Sequence, residues 1–439
     1  MQRSVVITGL GAVTPFGVGA HALWEGLLRA ESRLAPIERF DASGFPCRLA
    51  AETRDFHAKD HVPKSYRKAV KVMARDIELA VGAALDATRD AAVRTRGVLD
   101  SPDEPTTYPA ARMGCHIGAG LIAAEADELA RALATARDER GAFDPAAWGD
   151  GAMNNLQPLW LLKYLPNMLA CHVTIIHDTR GPSNTITCAE ASGALSIGES
   201  MRVIQRNDAD LCFTGGAESK INVMGLLRMD LAGRLAHTGD ETDGANVLRP
   251  YDPDAPGGLL GEGAGILIIE AEETANTRGA TPYARLAGFG AGAAPITGDL
   301  PRRAQGLVNA IERALDDAGA TPDDVDAVVP LACGAPGVDE LEAHALRATL
   351  GTRLKDLPLI TITPNIGNAM AGVGALQACA AALALKHQTV PARIHRGATP
   401  ADLRAGPEAQ RDARLRSVLV CTPALGGQNA ALLLRAMDQ

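Results

Sequence analysis

Twice along this chain a β-branched, apolar run gives way at once to a stretch of very small residues. The first is Thr185-Ile186-Thr187-Cys188-Ala189-Glu190-Ala191-Ser192-Gly193-Ala194. The second follows the strand-like Leu357–Thr363 and reads Gly367-Asn368-Ala369-Met370-Ala371-Gly372-Val373-Gly374-Ala375. Helices built from such residues let backbones approach closely, so each is expected between two packed layers. One ionisable side chain, Glu190, stands at the first strand-to-helix corner. A charge at the mouth of a helix otherwise made for burial needs a partner or a function.

Around these two stretches, strands alternate with helices. Apolar runs predict strands over 4–9, 113–118, 210–214, 266–270, 284–290, 327–331, 417–422 and 430–435. Helical periodicity marks 21–29, 65–94, 121–137, 303–318 and 339–349. Gly9-Leu10-Gly11 reads as a tight turn after the first strand; a lone G-x-G with no matching helix is weak evidence for a nucleotide site. The alternation predicts an α/β architecture with mostly parallel sheets. One small-residue helix in each half points to a fold built twice, with halves at 1–252 and 253–439 joined through the glycine-rich Pro250–Gly265.

The 439 residues carry a net charge of −9, which argues against a general nucleic-acid binder. Aromatic residues are only 3%, so close backbone packing must replace bulky side chains. Eight cysteines lie scattered without CxxC or zinc-type spacing, as reduced, buried thiols would, and no metal site is expected. Met1-Gln2-Arg3 passes directly into a core strand, and no apolar run reaches the roughly 18 residues of a membrane span. A cytoplasmic protein is expected.

Several motifs together resemble the β-ketoacyl synthases of fatty-acid and polyketide synthesis. They are Val5-Val6-Ile7-Thr8-Gly9-Leu10-Gly11-Ala12-Val13-Thr14-Pro15, Asn167-Met168 with His172, Gly181-Pro182-Ser183 and Gly215-Gly216-Ala217-Glu218. Arg249-Pro250-Tyr251-Asp252, Gly261-Glu262-Gly263-Ala264-Gly265 and Gly426-Gly427 with Asn429 complete the set. The resemblance implies a thiolase-like α/β fold: two pseudo-repeated halves with mixed five-stranded sheets in an αβαβα layered arrangement, and cap insertions at about 95–165.

The resemblance also implies a cysteine nucleophile, two histidines and a lysine. Counting from the flanking motifs puts the cysteine's position at Glu190, the histidines' at Leu331 and Asn368, and the lysine's at Thr363. Cys188 lies two residues too early, on the strand, away from the helix N-terminus that would lower its pKa. Condensation needs a thiolate to carry the acyl chain and donors to stabilise the enolate. Leu331 donates nothing and a glutamyl anhydride is a poor acyl carrier. The chain is therefore expected to be a non-condensing partner, of the chain-length-factor kind, of an active β-ketoacyl-carrier-protein synthase (an acyltransferase). Glu190 at a helix N-terminus is then a structural replacement. The alternative is a pocket turned to decarboxylation, acyl transfer or hydrolysis of a thioester, with Glu190 as base.

By the same resemblance, the partners are an active synthase in a heterodimer, or a second copy, and an acyl carrier protein. The carrier delivers phosphopantetheine, and no other cofactor is expected. Lys64, Arg67, Lys68 and Lys71 match the family's carrier-docking face, although a charge run is also what a solvated helix face presents. Leu121, Trp160 and Leu425 fall near its acyl tunnel and dimer contact. His172 and His177 are read as hydrogen-bonded structural histidines.

Overall fold

The computed structural model describes residues 3–437. The strands that matter for the site are β1 (Val5–Thr14), β2 (Met113–Ala119), β3 (Ser183–Ile186), β4 (Leu211–Glu218) and β5 (Gly263–Ala271). In the second half they are β6 (Ala284–Ala293), β7 (Ala327–Val329), β8 (Ser417–Pro423) and β9 (Gln428–Arg435). The helices are α1 (Arg75–Asp90), α2 (Met168–His177), α3 (Ser192–Gln205), α4 (Val223–Leu231), α5 (Leu300–Asp317), α6 (Pro336–Leu350) and α7 (Val373–His387).

One continuous sheet runs in the order β7-β8-β9-β6-β1-β5-β4-β2-β3. In the first half β5 pairs antiparallel with both β1 and β4, while β2 pairs parallel with both β4 and β3. The second half repeats this: β9 pairs antiparallel with β6 and β8, and β7 lies parallel to β8. Its fifth position is held by a single parallel bridge, Val328 to Leu359, where a full strand was expected. A short antiparallel contact of Val6 and Ile7 with β6 joins the halves. β5, which follows residue 252 in the chain, sits between β1 and β4 of the first half.

The sheet halves are sandwiched by helices, with α1 and α2 outside the first, α5 and α6 outside the second, and α3 and α7 between them. Burial on both faces explains why β4, β5 and β8 read as continuous apolar runs. The central helices touch backbone to backbone. A Cβ on Gly193 would stand 2.8 Å from the Ala371 carbonyl oxygen, and one on Gly374 2.9 Å from the Ala194 nitrogen. This is the sandwich expected of the two small-residue stretches.

Gly9 and Gly11 do not form a turn. They lie within β1, facing α1, where a Cβ on Gly11 would come within 2.0 Å of the Ala83 carbonyl. Gly288 and Gly290 of β6 face Ala314 and Ala310 of α5 in the same way, at 2.1 and 1.9 Å. The G-x-G pattern is thus a strand-to-helix packing device used in both halves. The expected helix over 65–94 is also shorter. Residues 64–66 and 69–72 are 3-10 turns and α1 begins only at Arg75.

Gly11→Ala should destabilise the protein by about 1–3 kcal/mol, because its methyl group meets backbone that cannot move aside. Gly44→Ala, at a site with open space around it, should stay within about 0.5 kcal/mol of the native protein. Urea-unfolding midpoints of the two variants check this.

Candidate functional site

β3 ends at Ile186, so Cys188 is not on the strand; it begins a 3-10 turn, Ala189–Ala191, that leads into α3. Ser192 holds the turn, its hydroxyl accepting from Cys188 N–H at 2.8 Å and donating to the Ala189 carbonyl at 2.6 Å. Ala189 has φ of +47°, a left-handed conformation that costs a non-glycine residue about 1 kcal/mol or more. The turn drives Glu190 into the interior, where it is fully buried.

The Glu190 carboxylate is received by donors from three separate segments. Arg234 Nη2 donates to Oε1 at 3.0 Å, Asn368 Nδ2 to the same oxygen at 3.4 Å, and the Leu425 N–H to Oε2 at 2.9 Å. No α3 N–H is among these partners, so an ion pair takes the place of the expected helix N-terminus. Burial works against the charge on Arg234, but Glu190, together with Cys333 and Asp339, outweighs it and holds the guanidinium pKa above its ordinary value.

Each donor is held by its own backbone. Arg234 follows the turn after α4, and its carbonyl accepts from the Gly258 N–H at 3.1 Å beside the Leu235–Gly258 bridge. Gly257 is required there, since its φ is +141° and a Cβ would stand 2.6 Å from the Ala236 nitrogen. Asn368 is pinned by backbone bonds to Leu259 and Gly261. Its Oδ1 accepts from Met370 N–H at 2.9 Å, which leaves Nδ2 to face Glu190. Leu425 lies in the β8–β9 turn, closed by Ala424 N–H to Gln428 and Gly427 N–H to Ala424.

Leu331 and Thr363 are brought together beside this cluster. Both are fully buried, and the Thr363 hydroxyl donates to the Ala332 carbonyl and lies 3.3 Å from that of Leu331. Two carboxylates brace the loop from behind. Glu342 accepts from the N–H groups of Leu331 and Ala332 and from the Tyr251 hydroxyl; Asp339 accepts from those of Cys333, Gly334 and Tyr251. Burial pushes Asp339 up to about 6 and Glu342 to about 7. Like Ala189, Ala332 and Met370 have φ of +47°, so all three turns around the cluster carry backbone strain.

A second buried cluster supports the Asn368 turn. Glu218 accepts from Ala371 N–H at 2.9 Å and pairs with Lys220, whose ammonium also donates to the Leu121 carbonyl. Asp76 lies alongside, accepting from Ser219 N–H at 3.3 Å. Burial, with the nearby Glu218, pushes Asp76 up to about 7.

Of the other expected residues, Leu425 alone bonds Glu190 among the described residues. Lys64, Arg67, Lys68 and Lys71 are exposed on the 3-10 turns before α1, not on one helix face. Leu121 is 61% exposed, and Trp160 is half-buried with its ring 5.0 Å from that of Tyr164. Leu425 contributes its N–H to the cluster and its side chain to a cavity of about 310 Å³ that Arg234 also lines. His172 and His177 are structural, bonded to Tyr66 at 2.8 Å and Thr95 at 2.7 Å; burial lowers both, His177 to about 3. Arg234 escaped the sequence reading. Its signal was the same as that of Glu190, a lone charge in the short, small-residue run Leu231-Ala232-Gly233-Arg234-Leu235-Ala236.

Arg234→Met should cost about 3–5 kcal/mol, because Glu190 is left buried without a counter-charge. The double variant Glu190→Met/Arg234→Met should recover most of that loss in the same denaturation experiment. Asp76 is favourable while protonated, so its contribution is intact below pH 4 and lost as pH rises through about 7. Asp76→Asn should therefore gain stability relative to the native protein between pH 5 and pH 8, by on the order of 1–3 kcal/mol. Unfolding curves at the two pH values measure that difference.

Comparison with known proteins places this geometry. The β-ketoacyl synthase N-terminal domain profile matches residues 2–275, and the C-terminal domain profile matches residues 283–396. The chain is 31% identical over 442 residues to 3-oxoacyl-[acyl-carrier-protein] synthase 2 of Staphylococcus aureus (strain N315), an alignment spanning 100% of this chain and 99% of that protein. It is similar to the structure of the ishigamide ketosynthase/chain length factor, with a TM-score of 0.80, 28% identity and all of both chains covered. It also shares the fold of a chain in the AntDE:AntF complex, a type II polyketide synthase acyl-carrier protein with its ketosynthase, with a TM-score of 0.81, 23% identity and all of both chains covered. Ketosynthases take acyl groups from carrier-bound phosphopantetheine and need no other cofactor. Matched by both profiles and aligned end to end with a synthase, this chain belongs to the β-ketoacyl synthase family and has its thiolase-like fold.

Proposed function

We propose that this chain is a non-condensing partner of an active ketosynthase, working in fatty-acid or polyketide synthesis on chains held by an acyl carrier protein. The observation that carries the reading is the state of Glu190. At the nucleophile's position in the family pattern stands a carboxylate that is fully buried and tied to Arg234, Asn368 and the Leu425 N–H. Such a group carries no acyl chain. Leu331, at a histidine position, offers no donor to an enolate, and Thr363, at the lysine position, spends its hydroxyl on the neighbouring loop. The same ion pair weighs against Glu190 as a general base, because a base must reach its substrate's proton.

The surface supports association. Among the described residues β3 is paired only through β2, so its outer edge is open there, with Ser183 and Asn184 exposed. Leu121, Leu159, Leu161 and Ile175 are 59–63% exposed. An open strand edge and large exposed apolar side chains are features that a protein partner covers. The ishigamide relative, described as a ketosynthase/chain length factor, makes a ketosynthase subunit the favoured partner. Lys64, Lys68 and Lys71 are exposed and make no ion pair among the described residues, which suits them to an acidic carrier protein.

Purified alone, the chain should give no condensation of malonyl- with acyl-carrier protein. Co-expressed with a neighbouring active ketosynthase, it should co-purify and the complex should turn over. Glu190→Gln in the complex should change turnover by no more than about twofold, whereas replacing the partner's cysteine should abolish it. Failure to co-purify, or loss of turnover in Glu190→Gln, would overturn the reading; mass spectrometry of carrier-bound chains reads both.

A further inference from the structure

We infer that Arg234, Asn368 and the Leu425 N–H form a receptor for a small organic carboxylate, which Glu190 fills from within the chain. Glu190 is itself a carboxylate, bound from three sides at 3.0, 3.4 and 2.9 Å. The backbones that carry the donors are held by other contacts. Arg234 is fixed by the bridge beside Gly258, Asn368 by Leu259, Gly261 and Met370, and Leu425 by the β8–β9 turn. The backbone of the receptor and the Asn368 amide are thus preorganised, and the Arg234 guanidinium is the donor that a carboxylate must orient.

A cavity adjoins the receptor. Arg234 and Leu425 line the cavity of about 310 Å³, and among the described residues its only other charged lining side chain is Arg303, with no Asp or Glu. Its remaining walls include Ile296, Val338, Leu341 and Pro423. A cationic mouth with apolar walls favours an anion carrying a small apolar body. Glu190 competes for the same donors at the high effective concentration of a tethered group, so the native chain binds such an anion only weakly.

This deepens the reading of Glu190 as a structural group, and its test uses the isolated chain, so failure to find a partner protein does not enter. Glu190→Gly is titrated with sodium acetate, against sodium chloride at equal ionic strength, and followed by calorimetry and thermal unfolding. Acetate should bind saturably and raise the unfolding temperature. Binding should be at least tenfold weaker in the native chain, in Glu190→Gln, whose amide still fills the receptor, and in Glu190→Gly/Arg234→Gln. Acetamide and inorganic phosphate should have no such effect. If Glu190→Gly does not fold in chloride, refolding yield becomes the readout, and acetate but not acetamide should restore it. An acetate effect no larger than that of chloride, equal in the native chain or indifferent to Arg234 would overturn the inference, as would failure to refold in either salt. Equal binding of phosphate would overturn the assignment to carboxylates.

Discussion

The close approach of α3 and α7 is the constraint on which the rest of this structure depends. Two helices can lie between two sheet halves with their backbones in contact only if the facing residues have almost no side chain. Gly193 against Ala371 and Gly374 against Ala194 meet that condition. The same requirement repeats outward, with the glycines of β1 and β6 admitting α1 and α5. Aromatic side chains are scarce because there is no space for them, and packing density is reached through backbone contact.

That central contact sets the geometry of the site. It brings the turn before α3 next to the turn before α7, so that Glu190 and Asn368, far apart in sequence, come within hydrogen-bond distance. The β8–β9 turn and the Arg234 segment close the remaining sides. Three strained turns surround the Glu190 cluster. Strain of this kind persists where the surroundings over-determine the backbone. An ion pair occupies the interior, with Glu190 fully buried and Arg234 largely so, and loss of either partner is costly.

Much of this was legible in the sequence, for identifiable reasons. Alternating strands and helices, with a small-residue helix after a buried strand in each half, expressed the layered α/β fold directly, because burial on both faces leaves a local compositional mark. The oddity of Glu190 was equally legible, since one charge stood out among glycines and alanines. Less legible were features that depend on what lies opposite. Gly9-Leu10-Gly11 reads the same whether a turn or a packed helix requires it, and only the position of α1 distinguishes the two. The basic run near Lys64 kept a helical spacing while the backbone took 3-10 turns. β5 lies beyond the apparent linker yet completes the first half, because strand order is a matter of pairing and not of sequence adjacency.

The sequence by itself determined the fold class and the small-residue core and singled out Glu190, because residue type and spacing act locally. Only the tertiary structure decided what those groups do to one another. Arg234, Leu425 and Asn368 converge on Glu190 from separate segments of the chain, and no local pattern records that meeting. Whether a buried carboxylate is a free base or half of an ion pair depends on the charge beside it, and that charge is supplied by the fold.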